Sequence, residues 1–437
     1  MKQRRQFDLV VFGAEPSGLA AAACAAKSGA RCAVIKTGLE PTEVASAPHI
    51  PNFVWRQLDL QDTGLIVEPV SARVSLFEDG RSIATFPDHH RTREALLDKS
   101  PSDGALWIDF SDEMARKQRK NDETPATICD RLADAERRPT LDSAETDPLT
   151  DILDDYFFDA DLKTHLSTVA GIAFGLSGEE PGSGRALASL SMREAWPVKN
   201  GDILAMTMER VCERAGVERF SSAVRRMERV DARAIDIDFE LGDDIRTRAL
   251  MASSARLAVM AGLPLAGDTA ALVNFENAEA YVSVKLADQP VRPDVDGAGD
   301  NTVFFIAESP DEIRAARDAV LEGRTPENPP LTFEFSEKEI IVRTPYCPKL
   351  LASEDGPREW TGQDRQVLGK QIVQRLGKYL NGALTNVQRT DVKIHGASEL
   401  EPERRIATEA VELMAPEPDL DEIGAAARLA LRLVAGE

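Results

Sequence analysis

The sequence predicts an α/β fold divided into two or three domains. The first observation is a strand, a glycine-containing turn, an alanine-rich helix and a second strand within the first 35 residues, an order typical of a βαβ unit. The second is the length of 437 residues, which exceeds what one ordinary hydrophobic core accommodates. The third is a later region in which strands of alternating polarity are interspersed with amphipathic helices.

The N-terminal unit carries the clearest signals. An apolar run from Phe7 to Phe12 predicts a buried strand, and the segment LAAAACAAKSG after the turn contains strong helix formers. Gly29 follows a lysine in the last helical turn, where a glycine commonly ends a helix. The run from Cys32 to Ile35 predicts the second strand.

Later elements follow from periodicity and capping residues. Strict alternation predicts a half-buried strand over residues 234–241, with Gly242-Asp243 as the turn back. Ser309 before Pro310 predicts the start of a helix that ends at Gly323. Further helices are predicted over about 153–169 and 202–215, over TGQDRQVLGKQIVQRLGKYL, and over Leu420 to Val434, whose apolar face indicates core packing.

Composition excludes several classes of function. The formal net charge of −22 predicts a surface that repels nucleic acid, so no nucleic-acid partner is expected. Five scattered cysteines without metal or disulfide spacing indicate a reducing cytoplasm. No run approaches the ~20 apolar residues that a membrane span requires, so no transmembrane segment is expected, and peripheral membrane contact stays open.

The adjacent His89 and His90 are candidate metal ligands. Adjacent side chains point apart, however, so a solvated helix start is expected instead of a metal site.

Several further segments occur in the order of a known family. They are LDLQDTGLIVEPVSARVSLFEDGRSI, HHRTREALLDKSPSDGALW, GIAFGLSGEEPGSGRALASL, WPVKNGDILAMTMERVCERAG, SPDEIRAARDAVLEGRTPENPP and WTGQDRQVLGKQIVQRLGKYLNG. With the N-terminal unit, they resemble the phytoene-desaturase-like flavoproteins, in particular the branch of pyridine nucleotide-disulphide oxidoreductase-domain proteins. The resemblance extends to about residue 400.

The resemblance implies an FAD/NAD(P)-binding, Rossmann-like three-layer domain with an inserted α+β substrate or lid domain. Residues 1–95, 185–265 and 395–437 would form the discontinuous dinucleotide-binding-like domain, and residues 96–184 and 266–394 the substrate/lid-like domain. The family's usual chemistry is hydride transfer between bound FAD and an apolar isoprenoid or lipid-like substrate.

The glycine turn departs from the pattern that dinucleotide folds require. In G-x-G-x-x-G the second glycine lets the backbone approach the pyrophosphate. Here the turn reads Gly13-Ala14-Glu15-Pro16-Ser17-Gly18. Glu15 therefore adds a negative charge at the second glycine, and two unit charges ~4 Å apart repel by about 4 kcal/mol at a dielectric near 20, roughly three decades of affinity.

Other parts of the expected cofactor site are altered as well. The acid that accepts hydrogen bonds from the ribose is replaced by Lys36, which cannot accept but could attract a 2′-phosphate. The paired glycines of the next segment are absent from LEPTEVASAPHIPNF, one glycine is missing from Pro197-Val198-Lys199-Asn200-Gly201, and the tail retains only Gly424 ahead of its last helix.

These departures predict a vestigial dinucleotide site. It consists of Gly13, Ala14, Glu15, Ser17, Gly18 and Lys36, with no catalytic and no metal-binding residue. The hypothesis is a pseudoenzyme that binds no cofactor and acts as a binding or scaffold subunit, beside an active homologous flavoprotein or a second copy of itself. The alternative is a divergent FAD-dependent oxidoreductase, a desaturase or reductase acting on an apolar isoprenoid or lipid-like substrate, in which FAD is the cofactor.

Overall fold

The structure, a computed structural model, contains two seven-stranded sheets and a two-stranded sheet with helices packed against them. It describes residues 4–36, 49–67, 70–121, 147–181, 183–184, 186, 195–198, 203–231, 234–253, 277–380, 384, 386–395, 407–409 and 422–435.

The strands are β1 (Arg5–Phe12), β2 (Cys32–Ile35), β3 (His49–Pro51), β4 (Ala72–Leu76), β5 (Ser82–Thr85), β6 (Ala195–Pro197), β7 (Glu218–Phe220), β8 (Val224–Asp231), β9 (Ala234–Phe239), β10 (Ile245–Ala252), β11 (Asn277–Leu286), β12 (Thr302–Ile306), β13 (Leu331–Phe335), β14 (Glu339–Pro348), β15 (Val387–His395) and β16 (Ala407–Glu409). The helices are α1 (Pro16–Lys27), α2 (Asn52–Gln57), α3 (His89–Lys99), α4 (Pro101–Asn121), α5 (Leu149–Tyr156), α6 (Ala160–Phe174), α7 (Leu204–Arg214), α8 (Pro310–Leu321), α9 (Gly362–Tyr379) and α10 (Glu422–Ala435).

The first sheet contains the N-terminal βαβ unit. Its order is β16-β8-β9-β10-β1-β2-β7, and β10, β1, β2 and β7 run parallel to one another. Strands β8, β9 and β10 form an antiparallel meander. The predicted strand, helix and second strand are confirmed, and Gly29 ends the helix region with a φ of +100°, a conformation that glycine adopts at little cost.

This sheet curls on itself. Phe220 of β7 stacks on Phe239 of β9 with ring centroids 5.2 Å apart, although β10, β1 and β2 lie between them in the sheet order. The meander thereby covers one face of the parallel strands with a core that includes Phe7, Phe12 and Ile237.

The other face of the parallel strands is covered by helices. Helix α1 is buried along nearly its whole length, from Ser17 to Ala25, because α7 and α10 pack against it. Its alanines, and Ala427 and Ala430 of α10, leave space for the helices to approach closely. The expected core packing of the last helix is confirmed by the burial of Ile423 and Leu431.

The second sheet has the order β15-β11-β14-β13-β12-β4-β5, in which β12 and β4 pair in parallel. Helix α9 packs on it through Leu368, Ile372 and Leu376. The domain boundaries stay a prediction. However, the strands β4 and β5 hydrogen-bond within this second sheet, whereas a boundary at residue 95 would group them with the first.

Capping residues account for where the helices α6 and α8 begin. The single helix expected over about 153–169 is instead two helices, because the Asp159 side chain accepts a hydrogen bond of 2.8 Å from the amide of Leu162 and starts α6. Ser309 caps α8 by accepting a hydrogen bond from the amide of Glu312 at 3.2 Å, as predicted.

Among the described residues, no helix is both long and apolar enough to cross a bilayer.

Candidate functional site

The turn that holds the predicted site lies at the carboxyl ends of the four parallel strands. The amide of Gly13, just after β1, donates to the carbonyl of Ile35 at 2.9 Å. The amide of Lys36, just after β2, donates to the carbonyl of Phe220 at 2.7 Å. Ligands of open α/β sheets bind at this edge of the strands.

Two glycines give the turn its shape. Gly13 has a φ of +114°, which strains any residue with a side chain. A Cβ atom on Gly18 would lie 2.4 Å from the Gly13 carbonyl oxygen and 2.7 Å from the Cβ of Ser253. The sequence pattern therefore retains glycine at both points where the turn and the packing of α1 on the sheet demand it.

Glu15 is held in an extended conformation at the start of α1. Its φ and ψ are −66° and 161°, because the following Pro16 disfavours helical geometry in the residue before it. The Glu15 side chain makes no capping hydrogen bond to the helix that it precedes. The amide groups of the first turn are the groups that bind anions at helix N-termini.

The Glu15 carboxylate is bound by a residue far away in the sequence. Ser253, directly after β10, donates its hydroxyl to Glu15 Oε2 at 2.6 Å, a length typical of a hydrogen bond to an ionised acceptor. Ser253 is fully buried, and its amide donates to the Phe12 carbonyl at 2.9 Å. The carboxylate is therefore directed toward the end of the neighbouring strand β10.

The remaining predicted residues lie around this turn in different settings. Ala14 is partly buried, Ser17 is buried in the first turn of α1, and the Lys36 side chain is exposed to solvent. The structure thus brings all six predicted residues together at one strand edge. Sequence reasoning did not find Ser253, because nothing in the local pattern of MASSA distinguishes it.

The other altered stretches are described only in part. His49–Pro51 and Ala195–Pro197 pair as an antiparallel two-stranded sheet, which places the two family segments side by side. Residues 37–48, from the stretch in which the paired glycines are absent, lie outside the described residues. Residues 199–202, which include Gly201, lie outside them as well. Gly424 is buried in the first turn of α10.

None of the cysteines among the described residues is a reactive nucleophile. Cys24, Cys32, Cys212 and Cys347 are free and buried. Burial raises the pKa of both Cys32 and Cys212 to about 12, so these thiols stay protonated at neutral pH.

The histidine pair on α3 behaves differently at its two positions. His90 is exposed, as a solvated helix start implies, but His89 is buried near Trp107, with ring centroids 6.4 Å apart. The expectation of a solvated start is therefore wrong for His89, because the side chain faces the aromatic core between α3 and α4.

Sequence comparison leaves the family open. No family model matches the sequence. No curated protein matches it either.

Solved structures match over nearly the whole chain. A redesigned putrescine oxidase is 15% identical with a TM-score of 0.56, and 98% of each chain is covered. Cyclohexylamine oxidase from Brevibacterium oxydans IH-35A is 12% identical with a TM-score of 0.50, again over 98% of each chain. The chain has the Rossmann-like α/β fold of FAD-binding oxidoreductases.

The comparison corrects one expectation. The prediction that no cofactor is bound is wrong, because putrescine oxidase and cyclohexylamine oxidase, which share this fold, are FAD-binding flavoproteins. That prediction rested on Glu15 and on four further altered stretches of the expected cofactor site. The Glu15 carboxylate accepts a hydrogen bond from Ser253 in the structure. The resemblance to the phytoene-desaturase-like branch stays a prediction.

Proposed function

We propose that this chain is an FAD-dependent oxidoreductase that binds the pyrophosphate of FAD at the turn from Gly13 to Gly18. The observation that carries the proposal is the shape of this turn at the carboxyl ends of four parallel strands. Gly13 keeps a φ of +114° and Gly18 lets α1 lie close to β1, which is the geometry that a dinucleotide turn needs.

The residues of the turn fit the cofactor in three respects. The N-terminus of α1 offers backbone amides and the positive end of a helix dipole. Gly18 allows α1 to lie close to β1 and to Ser253. The site lies at the carboxyl ends of parallel strands, beside the end of β2 where the ribose is expected. Bound FAD supplies hydride acceptance, and the protein supplies binding and orientation.

Lys36 modifies this site without removing it. A lysine cannot accept hydrogen bonds from the ribose hydroxyls, so we expect FAD to bind less tightly than in a site with an acid at this position. The side chain is exposed, and it therefore has room to turn away from the ribose.

The family resemblance bears on the substrate of the chain, and the fold bears on its role. The family resemblance supports an apolar isoprenoid or lipid-like substrate for a desaturase or reductase. The scaffold hypothesis, with an active homologous flavoprotein or a second copy as partner, rested on five altered stretches, of which Glu15 and Lys36 mark two. Because putrescine oxidase and cyclohexylamine oxidase share this fold over 98% of the chain, the oxidoreductase is the better supported of the two.

A direct titration with FAD tests the proposal. We expect the purified full-length chain to bind one FAD, measured by quenching of flavin fluorescence and by the visible absorbance of the washed protein. Gly13→Val should remove binding, because a β-branched residue is strongly disfavoured at a φ of +114°. A wild-type chain that remains colourless after saturation with FAD would refute the proposal.

A further inference from the structure

We infer that the groove between helix α9 and strand β15 binds an apolar molecule that carries one carboxylate, such as a fatty acid. The inference does not rest on the proposed function, because this groove belongs to the second sheet and the dinucleotide turn belongs to the first. The groove has a volume of about 620 Å³, which is within the range of small-molecule sites in proteins.

The groove follows from the way in which α9 packs on the sheet. One stripe of the helix, which includes Leu368 and Ile372, is buried against the sheet. A neighbouring stripe of residues spaced by four, Arg365, Gly369 and Val373, lines the groove opposite β15. Because β15 is the last strand in the described order of this sheet, the groove lies at the edge of the sheet.

The base of the groove is apolar. Gly369 is buried where α9 comes close to β15, since a Cβ added there would lie 2.8 Å from Cγ2 of Val392 and 3.2 Å from Cγ2 of Thr390. Val373 and Val387 continue the apolar surface, and both are only half-buried. An apolar chain laid against these valines would remove further apolar surface from water, which favours binding.

The charge of the lining selects an anion. Arg365 is half-buried and Lys370 is exposed, and both belong to the lining. The acid of the lining, Asp391, accepts a hydrogen bond from Nε of Arg389 at 2.7 Å. Two cations and one carboxylate leave the lining with a net charge of +1, in a chain whose formal net charge is −22. One carboxylate on the ligand would neutralise this charge, and a guanidinium matches the geometry of a carboxylate.

Calorimetric titration of the full-length chain with dodecanoate, below its micelle concentration, tests the inference. Arg365→Gln combined with Lys370→Gln should raise the Kd for dodecanoate on the order of tenfold, as for the loss of hydrogen bonds to a charged group. Lys370→Gln alone changes an exposed position and should raise the Kd about two- to fivefold. Dodecan-1-ol, which lacks the charge, should bind more weakly than dodecanoate and equally to all of these proteins.

A matched control and a mapping experiment locate the site. Lys378 is exposed on the same helix but lies outside the groove, where it pairs with Glu78 at 3.7 Å, so Lys378→Gln should leave the Kd for dodecanoate unchanged. Photolysis of the wild-type chain with a diazirine derivative of dodecanoate, followed by digestion and mass spectrometry, should give adducts on residues 362–374 or 387–392.

Four results would overturn the inference. They are no binding of dodecanoate by wild type, equal Kd values for wild type and the double variant, adducts confined to other segments, and dodecan-1-ol binding as tightly as dodecanoate. None of them depends on whether the chain binds FAD, so the proposed function is tested separately.

Discussion

Replacing Gly18 with alanine is expected to destabilise the chain by about 1 to 3 kcal/mol, the range of overpacked cores, and to abolish FAD binding. The added Cβ would lie 2.4 Å from the carbonyl oxygen of Gly13 and 2.7 Å from the Cβ of Ser253. Neither neighbour is the end of a flexible side chain, so α1 itself must move away from β1. Urea unfolding measures the loss of stability, and fluorescence titration measures FAD binding.

A second helical glycine provides the control. Gly377 in α9 has no atom within 4 Å of an added Cβ, so Gly377→Ala should stabilise the chain by about 0.5 to 1 kcal/mol through helix propensity. If Gly18→Ala unfolded at the same urea concentration as wild type, the close approach of α1 to the sheet would be wrong.

The chain should lose stability in mild acid because of one buried histidine. His165 of α6 is fully buried, with Nδ1 2.7 Å from Ser75 Oγ and Nε2 3.0 Å from Thr85 Oγ1. Burial, with a smaller contribution from the positive charge of Arg73, lowers the pKa of His165 to about 3. The imidazole is therefore neutral in the folded chain.

The direction of the effect follows from proton binding. Unfolded chains protonate this histidine as the pH falls through about 6.5, whereas the folded chain does so only near 3. The stabilisation is thus complete above pH ~6.5 and is lost as the pH falls from there toward 3, by about 2 kcal/mol between pH 7.5 and 5.

Urea unfolding at several pH values tests this expectation. His165→Asn should be less stable than wild type at neutral pH, and the difference should shrink by about 2 kcal/mol on going to pH 5. His90→Asn, at an exposed position on α3, should keep the wild-type pH dependence. Parallel pH profiles for wild type and His165→Asn would show that His165 titrates normally in the folded chain.

The N-terminal βαβ unit, α8 and β9 were predicted from residues that lie within or next to each element. The N-terminal βαβ unit follows from an apolar run and an alanine-rich segment, and α8 follows from Ser309 and from Gly323, which has a φ of +71°. The alternation over β9 likewise predicted the strand, but its half-buried character is wrong, because Asp236 is buried and pairs with Arg246. In each case the residues that decide the structure lie within one element or at its ends.

Long-range pairing was beyond the reach of the sequence. Strands β4 and β5 carry the apolar pattern of any sheet, so the pattern alone does not say that they join β12. The burial of His165 depends on hydroxyls from these same strands. Similarly, Asp236 pairs with Arg246 at 2.5 Å across two strands of the meander.

The cofactor prediction failed because it was made from the altered residues of the site without the fold. The charge of Glu15 was evident from the sequence, but the direction of its side chain depends on Ser253, which the parallel pairing of β10 with β1 brings to the turn. The fold that surrounds the turn is that of FAD-binding oxidoreductases.

A crystal structure of the chain grown with FAD tests the central claim most directly. We expect a pyrophosphate within hydrogen-bond distance of the amides at the start of α1. A Glu15 carboxylate bound to the amides of Ser17 and Gly18, with no dinucleotide density at the turn, would contradict it.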